Sequence, residues 1–528
     1  MRLRLLSLPL ALSLALPAAA CSTPGGGSGG AGDGTVKTGG TVVFALSDEP
    51  DVLDPTLANT FVARVVFTSF CEKLYDADDK LNLVPQLAAE LPKVSADALT
   101  VTIPLRKGVT FNDGTPFDAE AVKISLDRHR TLKGSARVKE LAAVKTVTAL
   151  DPATVQITLS RPFSPLGAQL ADRAGLIMSP TALKKLGDKF GTSPVCVGPF
   201  KFESRTSGSE IRFTKSTNYY DADKVHLSGV TYRIVSDPNV RAANLQSGDV
   251  QAAERLAPTD ALQLKSNPDV TLRDISAIGY QGLSINVGNV AGTAAPAGRV
   301  NTPLGRSPQL REALELSLDR DAMNKVVFAG QNAVDCLPLP LQSRFRPADA
   351  KCTPYDPERA RQIVEASGEK LPIPVNLLVP ARPADQKLAE VIQSMAKKVG
   401  FDVRIRQSEF VSSLAAARAG DFDAFLIGWS GRIDPDGNLG DLVGTGGSNN
   451  FGGLSDPAFD DLIKRGAQAS DDAERQKIYT EALARNAQLR SIIYLYHERW
   501  FLGLSSKLTG VVYPGDGIAR FKTAAFTG

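Results

Sequence analysis

Histidine is almost missing from this chain. Three are present in 528 residues, His129, His226 and His497, and they lie far apart. Zinc needs clustered nitrogen and sulfur ligands, so no metal centre is expected, and a nickel ion held by the chain alone is not expected either. No two cysteines have Cys-x-x-Cys spacing. Outside the Gly-rich stretch after Cys21 the chain has no Gly-x-Ser-x-Gly elbow, and it has no His-Glu-x-x-His and no phosphate loop closing on Gly-Lys-Ser/Thr. Carboxylates are plentiful, but no pair is marked out as acid and base. No catalytic residues and no cofactor are therefore expected; a secreted hydrolase stays as an outlying alternative. An excess of one charge is also lacking. Sixty basic residues face 57 acidic ones, for a formal charge of +3 and no basic block, which argues against nucleic-acid binding. Solenoid repeats are absent. What is there is a hydrophobic content of 43%, in a chain long enough for three to four units of roughly 150 residues.

The first twenty residues are of another kind. Arg2 and Arg4 precede an almost purely apolar run from Leu5 to Leu16, and Pro17-Ala18-Ala19-Ala20 leads into Cys21. This pattern reads as an export signal, too short for an ordinary membrane span. Small residues before a cysteine resemble a bacterial lipoprotein signal, although Ala18 stands where leucine is commonest. Cleavage after Ala20 would free Cys21 for a lipid, anchoring the chain at the outer face of the cytoplasmic membrane. Plain secretion is the alternative. Residues 21–39 are Gly-rich and read as a flexible tether.

Export makes disulfides permissible. Four cysteines remain, Cys71, Cys196, Cys336 and Cys352, which allow three connectivities. Cys336 and Cys352 flank a Pro-rich stretch and are paired here, leaving Cys71 with Cys196. Buried free thiols are the alternative.

Along the body, α/β signals alternate. Gly40 to Leu46 reads as a strand and Thr60 to Leu74 as a helix. Asn112-Asp113-Gly114 is a turn signal, and Asp118 is a cap for a helix to about His129. Val144 to Ala149 and Thr154 to Leu159 read as a hairpin. Ser307 to Phe328 reads as one long helix, with Leu310, Leu314 and Leu318 on one face. Ala424 to Gly428 reads as a buried strand.

Several segments together resemble a known family. They are Asp54-Pro55, Glu72-Lys73-Leu74-Tyr75, Leu83-Val84-Pro85-Gln86-Leu87-Ala88, Leu105-Arg106-Lys107-Gly108-Val109 and Phe111-Asn112-Asp113-Gly114 with Phe117. Gly198-Pro199-Phe200, Asn218-Tyr219-Tyr220, Leu283-Ser284-Ile285-Asn286 and Arg311-Glu312-Ala313-Leu314 with Ser317-Leu318-Asp319-Arg320 follow in order. The chain resembles, over about 42–520, the solute-binding proteins of bacterial peptide/nickel ABC importers, family 5. The resemblance implies an α/β, two-lobed periplasmic-binding-protein-like fold (type II, cluster C-like), with an extra subdomain inserted in the first lobe. The segments are then 40–74, 191–282 and 495–528 for the first lobe, 75–190 for the insert and 283–494 for the second lobe. The partners implied are a peptide or other small ligand and the ABC permease subunits, with the protein acting as a monomer.

Gly428-Trp429-Ser430-Gly431-Arg432-Ile433-Asp434-Pro435-Asp436-Gly437 carries the ligand question. A strand opening into a Gly-rich loop is where α/β lobes meet ligands. Trp429 is expected to wall the cleft, or else to sit in a core. In peptide-binding relatives an acid shortly after the matching tryptophan holds the ligand's amino terminus; here Arg432 stands there. Arg432 repels an ammonium and can clamp a carboxylate. An oligopeptide or modified peptide is expected, with a sugar, opine or other anionic solute as the alternative. Asp434, Phe61, Arg64, Tyr280, Asn286, Asn449 and Asn450 are further cleft candidates, each weighed against a purely structural role.

Overall fold

The computed structural model describes residues 35–528; the expected signal peptide, Cys21 and most of the tether lie outside the described residues. Three sheets organise the body. The first has seven strands, in the order Val270–Ser276, Arg499–Ser505, Ala252–Ala253, Thr41–Leu46, Gly229–Ile234, Glu210–Lys215 and Phe200–Thr206. Thr41–Leu46 runs parallel to both its neighbours and is buried over nearly its whole length, as central strands covered on both faces are. Helix Phe61–Phe70 follows it, capped by the Thr60 hydroxyl accepting from Ala63 N.

The second sheet has six strands: Ala333–Val334, Ile492–His497, Tyr280–Ile285, Ala424–Trp429, Ile373–Pro380 and Phe401–Ser408. The last three are mutually parallel. Helices Pro383–Lys397 and Phe410–Ala419 connect them, because parallel neighbours need a crossover. A third, antiparallel sheet comprises Lys93–Val94, Thr100–Pro104, Thr154–Leu159 and Val144–Asp151. Helix Ala119–Thr131 packs on it, with the Asp118 carboxylate accepting from Ala121 N. This third sheet shares one apolar core with the first, Ile103, Phe111 and Ile157 joining Phe44, Phe70 and Phe213. The second sheet has its own core around Leu283, Leu377 and Leu426. The chain thus forms two lobes with a subdomain on the first.

Two short links join the lobes: residues 277–279 between Val270–Ser276 and Tyr280–Ile285, and Glu498 between Ile492–His497 and Arg499–Ser505. At Gly279 a Cβ would stand 1.7 Å from the Trp429 carbonyl oxygen. Glycine is required there because the link runs directly against the loop that ends strand Ala424–Trp429.

The expected helix over Ser307 to Phe328 is two helices, Pro308–Leu316 and Arg320–Phe328. The break is chemical. Ser317 turns its hydroxyl onto the Leu314 carbonyl, and Asp319 caps the second helix by accepting from Ala322 N. Both disulfides are formed, Cys71–Cys196 and Cys336–Cys352, with Cα atoms 4.8 and 5.5 Å apart.

Candidate functional site

Between the lobes lies a cavity, partly continuous with solvent. The first lobe contributes Ser47 and Asp48, where strand Thr41–Leu46 ends, and Asn59 to Val62, where helix Phe61–Phe70 begins. The second contributes the starts of two helices, Arg382 with Asp385 and Phe410, and the strand end at Gly428 to Ser430. These are the ends of strands and the beginnings of helices in α/β layers, where loops leave room for a ligand.

Phe61, Tyr280, Trp429 and Asn449 all line the cavity. Phe61 packs on Trp500 at 4.8 Å between centroids. The Arg255 guanidinium lies over both rings, 5.0 Å from Phe61 and 4.2 Å from Trp500. Tyr280 meets Tyr494 edge-on at 4.7 Å. Asn449 donates to Asp441 at 2.6 Å. The Trp429 ring is held from behind: its Nε1 donates to Asn438 Oδ1 at 3.1 Å, and the Arg432 guanidinium covers it at 4.3 Å. Asn438 also accepts from Arg432 N and donates to the carbonyls of Arg432 and Asp434. One buried amide therefore sets the loop's shape.

The other candidates lie elsewhere. Arg432 does not line the cavity; its Nε is 2.6 Å from Asp172 Oδ2, in the inserted subdomain. Arg64 also turns to Asp172, with Nε 2.9 Å from Oδ1. Asp434 is buried against Arg475, at 2.8 and 3.0 Å. Asn286 spends its amide on the carbonyls of Asn289 and Gly420 and accepts from Asn289 N. Asn450 donates to the carbonyls of Gly444 and Leu454. Asn286 and Asn450 shape the backbone: polar groups on buried loops satisfy local N–H and C=O first.

Six charged residues of the cavity are not among those expected there from the sequence: Asp48, Arg255, Arg382, Asp385, Arg418 and Glu498. Arg382 bonds Asp48 across the lobes at 2.7 Å. Arg255 stands 3.4 Å from Glu498, which accepts from Trp500 Nε1 at 2.6 Å. Asp385 accepts from Gln281 at 3.2 Å. Three carboxylates thus face two guanidinium groups at the hinge end. Arg418 stands apart, 5.9 Å over the Phe451 ring, and makes no ion pair among the described residues; burial lowers its pKa from the usual value. The rule that pointed to Trp429, a strand end opening into a loop, also reaches Asp48 and Arg382.

Burial pushes the Asp385 carboxyl up to about 6, with Glu498 and Asp48 adding to it and Arg382 opposing. The folded state therefore holds this proton more tightly than the unfolded chain, whose pKa is the ordinary 3.8. The sign follows: stability falls as pH rises from about 4 to 6. At 1.36 kcal/mol per unit, the loss is about 3 kcal/mol. Asp385→Asn keeps an acceptor for Gln281 and removes the titration. Urea unfolding at pH 4.5 and 7.5 should show the variant gaining on the wild type by about 2 kcal/mol at the higher pH, part of the loss having already occurred by pH 4.5. Parallel pH profiles would refute the assignment.

Residues 82–450 match the family model for bacterial extracellular solute-binding proteins, family 5. The glutathione-binding protein GsiB of Pectobacterium atrosepticum is 30% identical over 508 residues, covering 92% of this chain and 94% of its own. GsiB of Escherichia coli is 30% identical over 499 residues, covering 90% and 93%. Among solved structures, AgaA from A. tumefaciens R10 in complex with agropinic acid superposes with a TM-score of 0.83 at 27% identity, covering 93% of this chain and 99% of AgaA. DppA from Helicobacter pylori in complex with the peptide STSA gives 0.84 at 23% identity, with the same coverages. With its two lobes, inserted subdomain and interlobe cavity, the chain belongs to the bacterial extracellular solute-binding proteins, family 5.

Proposed function

We propose that this protein is the ligand-capturing component of an ABC importer, delivering a peptide or modified peptide to membrane permease subunits. The observation that carries this reading is the interlobe cavity, walled by Phe61, Tyr280 and Trp429 and bearing charged groups of both signs. Aromatic walls bury the apolar part of a solute, and a few charged groups set its orientation. A short peptide suits the separation of charge, with carboxylates gathered at the hinge and Arg418 standing apart. The two GsiB relatives are glutathione-binding proteins, which makes glutathione the first probe. A non-peptide anionic solute is the second reading. It is favoured by AgaA, solved with agropinic acid.

Calorimetry with glutathione, a set of unmodified tri- and tetrapeptides and agropinic acid tests both readings. Binding of one peptide class, weakened about tenfold or more by Trp429→Ala, as for a central aromatic anchor, is the expected result. Agropinic acid binding with inert peptides would select the second reading. Inert probes throughout, together with hydrolysis of a peptide by the pure protein, would refute both.

The anchor belongs to the same proposal. The run before Cys21 supports lipid attachment at that thiol. Growing cells with an alkyne fatty acid should label the wild type and leave Cys21→Ala unlabelled. Equal labelling of the two would exclude it.

A further inference from the structure

Beneath Trp429, away from the main cavity, three parts of the chain meet. Helix Phe61–Phe70 brings Arg64, the inserted subdomain brings Arg137, Glu140, Asp172 and Arg173, and the second lobe brings Arg432. The four arginines are 8, 2, 3 and 8% exposed in chain order. Asp172 is shared by three of them: Arg64 Nε at 2.9 Å, Arg432 Nε at 2.6 Å and Arg173 Nε at 4.0 Å. Glu140 is committed to Arg137 Nη1 and keeps one oxygen without a donor. Four guanidinium groups therefore face two carboxylates, leaving two positive charges uncompensated.

Hydrogen bonding is incomplete in the same place. Arg64 Nη1, Arg137 Nε and Arg173 Nε are buried without an acceptor. Other N–H groups of the cluster do have one: Arg137 Nη2 and Arg173 Nη1 each donate to the Ala58 carbonyl at 3.0 Å, and Arg432 Nη1 donates to the Gly431 carbonyl. Buried polar groups are nearly always satisfied, and buried charge is costly unless it is paired. Shedding a proton does not resolve this, because arginine keeps its charge in proteins. Burial, then Arg137, press the Arg173 pKa well down from its usual value.

A second cavity, of about 80 Å³, opens beside this cluster and is bounded by Arg64, Asp172 and Arg173. Its remaining charged groups already have partners. Asp76 lies between Lys73 and Arg520, Lys522 pairs with Asp221, and Glu72 accepts from Tyr219 and Tyr220. The unpartnered donors at its edge are Arg64 Nη1 and Arg173 Nε.

We propose that this junction is a binding site for a small free anion of the halide or inorganic oxyanion class, held by Arg64 and Arg173 and buttressed by Arg137 and Arg432. A water molecule satisfies an N–H group but leaves the charge; an anion answers both. The anion is separate from the transported solute, since neither Arg64 nor Arg173 borders the main cavity. Because Arg432 comes from the second lobe, an occupied site also favours contact between that lobe and the insert.

Thermal melts in sodium chloride against sodium gluconate, at one ionic strength, test this. Chloride should raise the melting temperature saturably, whereas gluconate is too large to enter. Arg64→Gln and Arg173→Met should abolish the chloride-specific rise. Crystals of the wild type soaked in bromide should show an anomalous peak beside Arg64 Nη1 and Arg173 Nε, a readout that needs no variant to fold. Identical melting in the two salts, or no bromide peak at the junction, would overturn the proposal. So would inert chloride combined with a large loss of glutathione affinity in Arg64→Gln, which would make the anion a carboxylate of the transported ligand.

Discussion

Removing the Cys71–Cys196 disulfide, as the double variant Cys71→Ala/Cys196→Ala, should lower the free energy of unfolding by about 4–5 kcal/mol. The bridge spans 125 residues, and the chain-entropy stabilisation from a cross-link grows with the logarithm of the loop it closes. Its position sharpens the expectation. Cys71 caps helix Phe61–Phe70, and Cys196 bridges to Met178 at the far end of the insert. The whole antiparallel subdomain therefore hangs in the loop, and both sulfurs sit in the core it shares with the first lobe. Cys336–Cys352 closes only 16 residues and should be worth about 3 kcal/mol on the same scale. Urea unfolding of the two double variants against the wild type gives the comparison. A larger loss from the short loop than from the long one would refute the loop-length account.

The layers of this fold were legible in the sequence because they are local. Val155, Ile157 and Leu159 alternate inward on the strand Thr154–Leu159, and Asp118 announces its helix by a capping side chain. The expected single helix over Ser307 to Phe328 shows how one local signal can mask another. Leu310, Leu314 and Leu318 suggest continuity, while Ser317 and Asp319 carry the stop and restart. The site was less legible. Trp429 and Phe61 follow from strand ends and turns, and both line the cavity. Arg255 offers nothing to periodicity: it sits at φ +47°, a conformation uncommon outside glycine, with its guanidinium over two rings. Arg432 and Asp434 stand two residues apart and point to different partners, Asp172 in the insert and Arg475 in the second lobe. Such pairings arise only when distant segments fold together, so residue type and spacing could not supply them.

Asp172 is where that non-local chemistry is most exposed to experiment, through an asymmetry between the two ends of one ion pair. Burial works to raise its carboxyl, but Arg432, Arg64, Arg173 and Arg137 together hold it well below the usual range. Asp172→Ala removes the only carboxylate, among the described residues, shared by Arg64, Arg173 and Arg432. Deleting one partner of a buried pair costs about 3–5 kcal/mol, because the charge left behind stays buried. Arg432→Ala acts on the same contact from the other side. It removes one of four positive charges and leaves Asp172 still paired to Arg64, so it should cost about 1–2 kcal/mol, mostly the lost cover on the Trp429 ring. The double variant should cost less than the sum of the two, since the second change removes a charge the first had stranded. Urea unfolding of the four proteins closes this cycle. Equal costs for the two single variants would mean that Asp172 matters only through its bond to Arg432. A larger cost for Arg432→Ala would refute the charge imbalance itself.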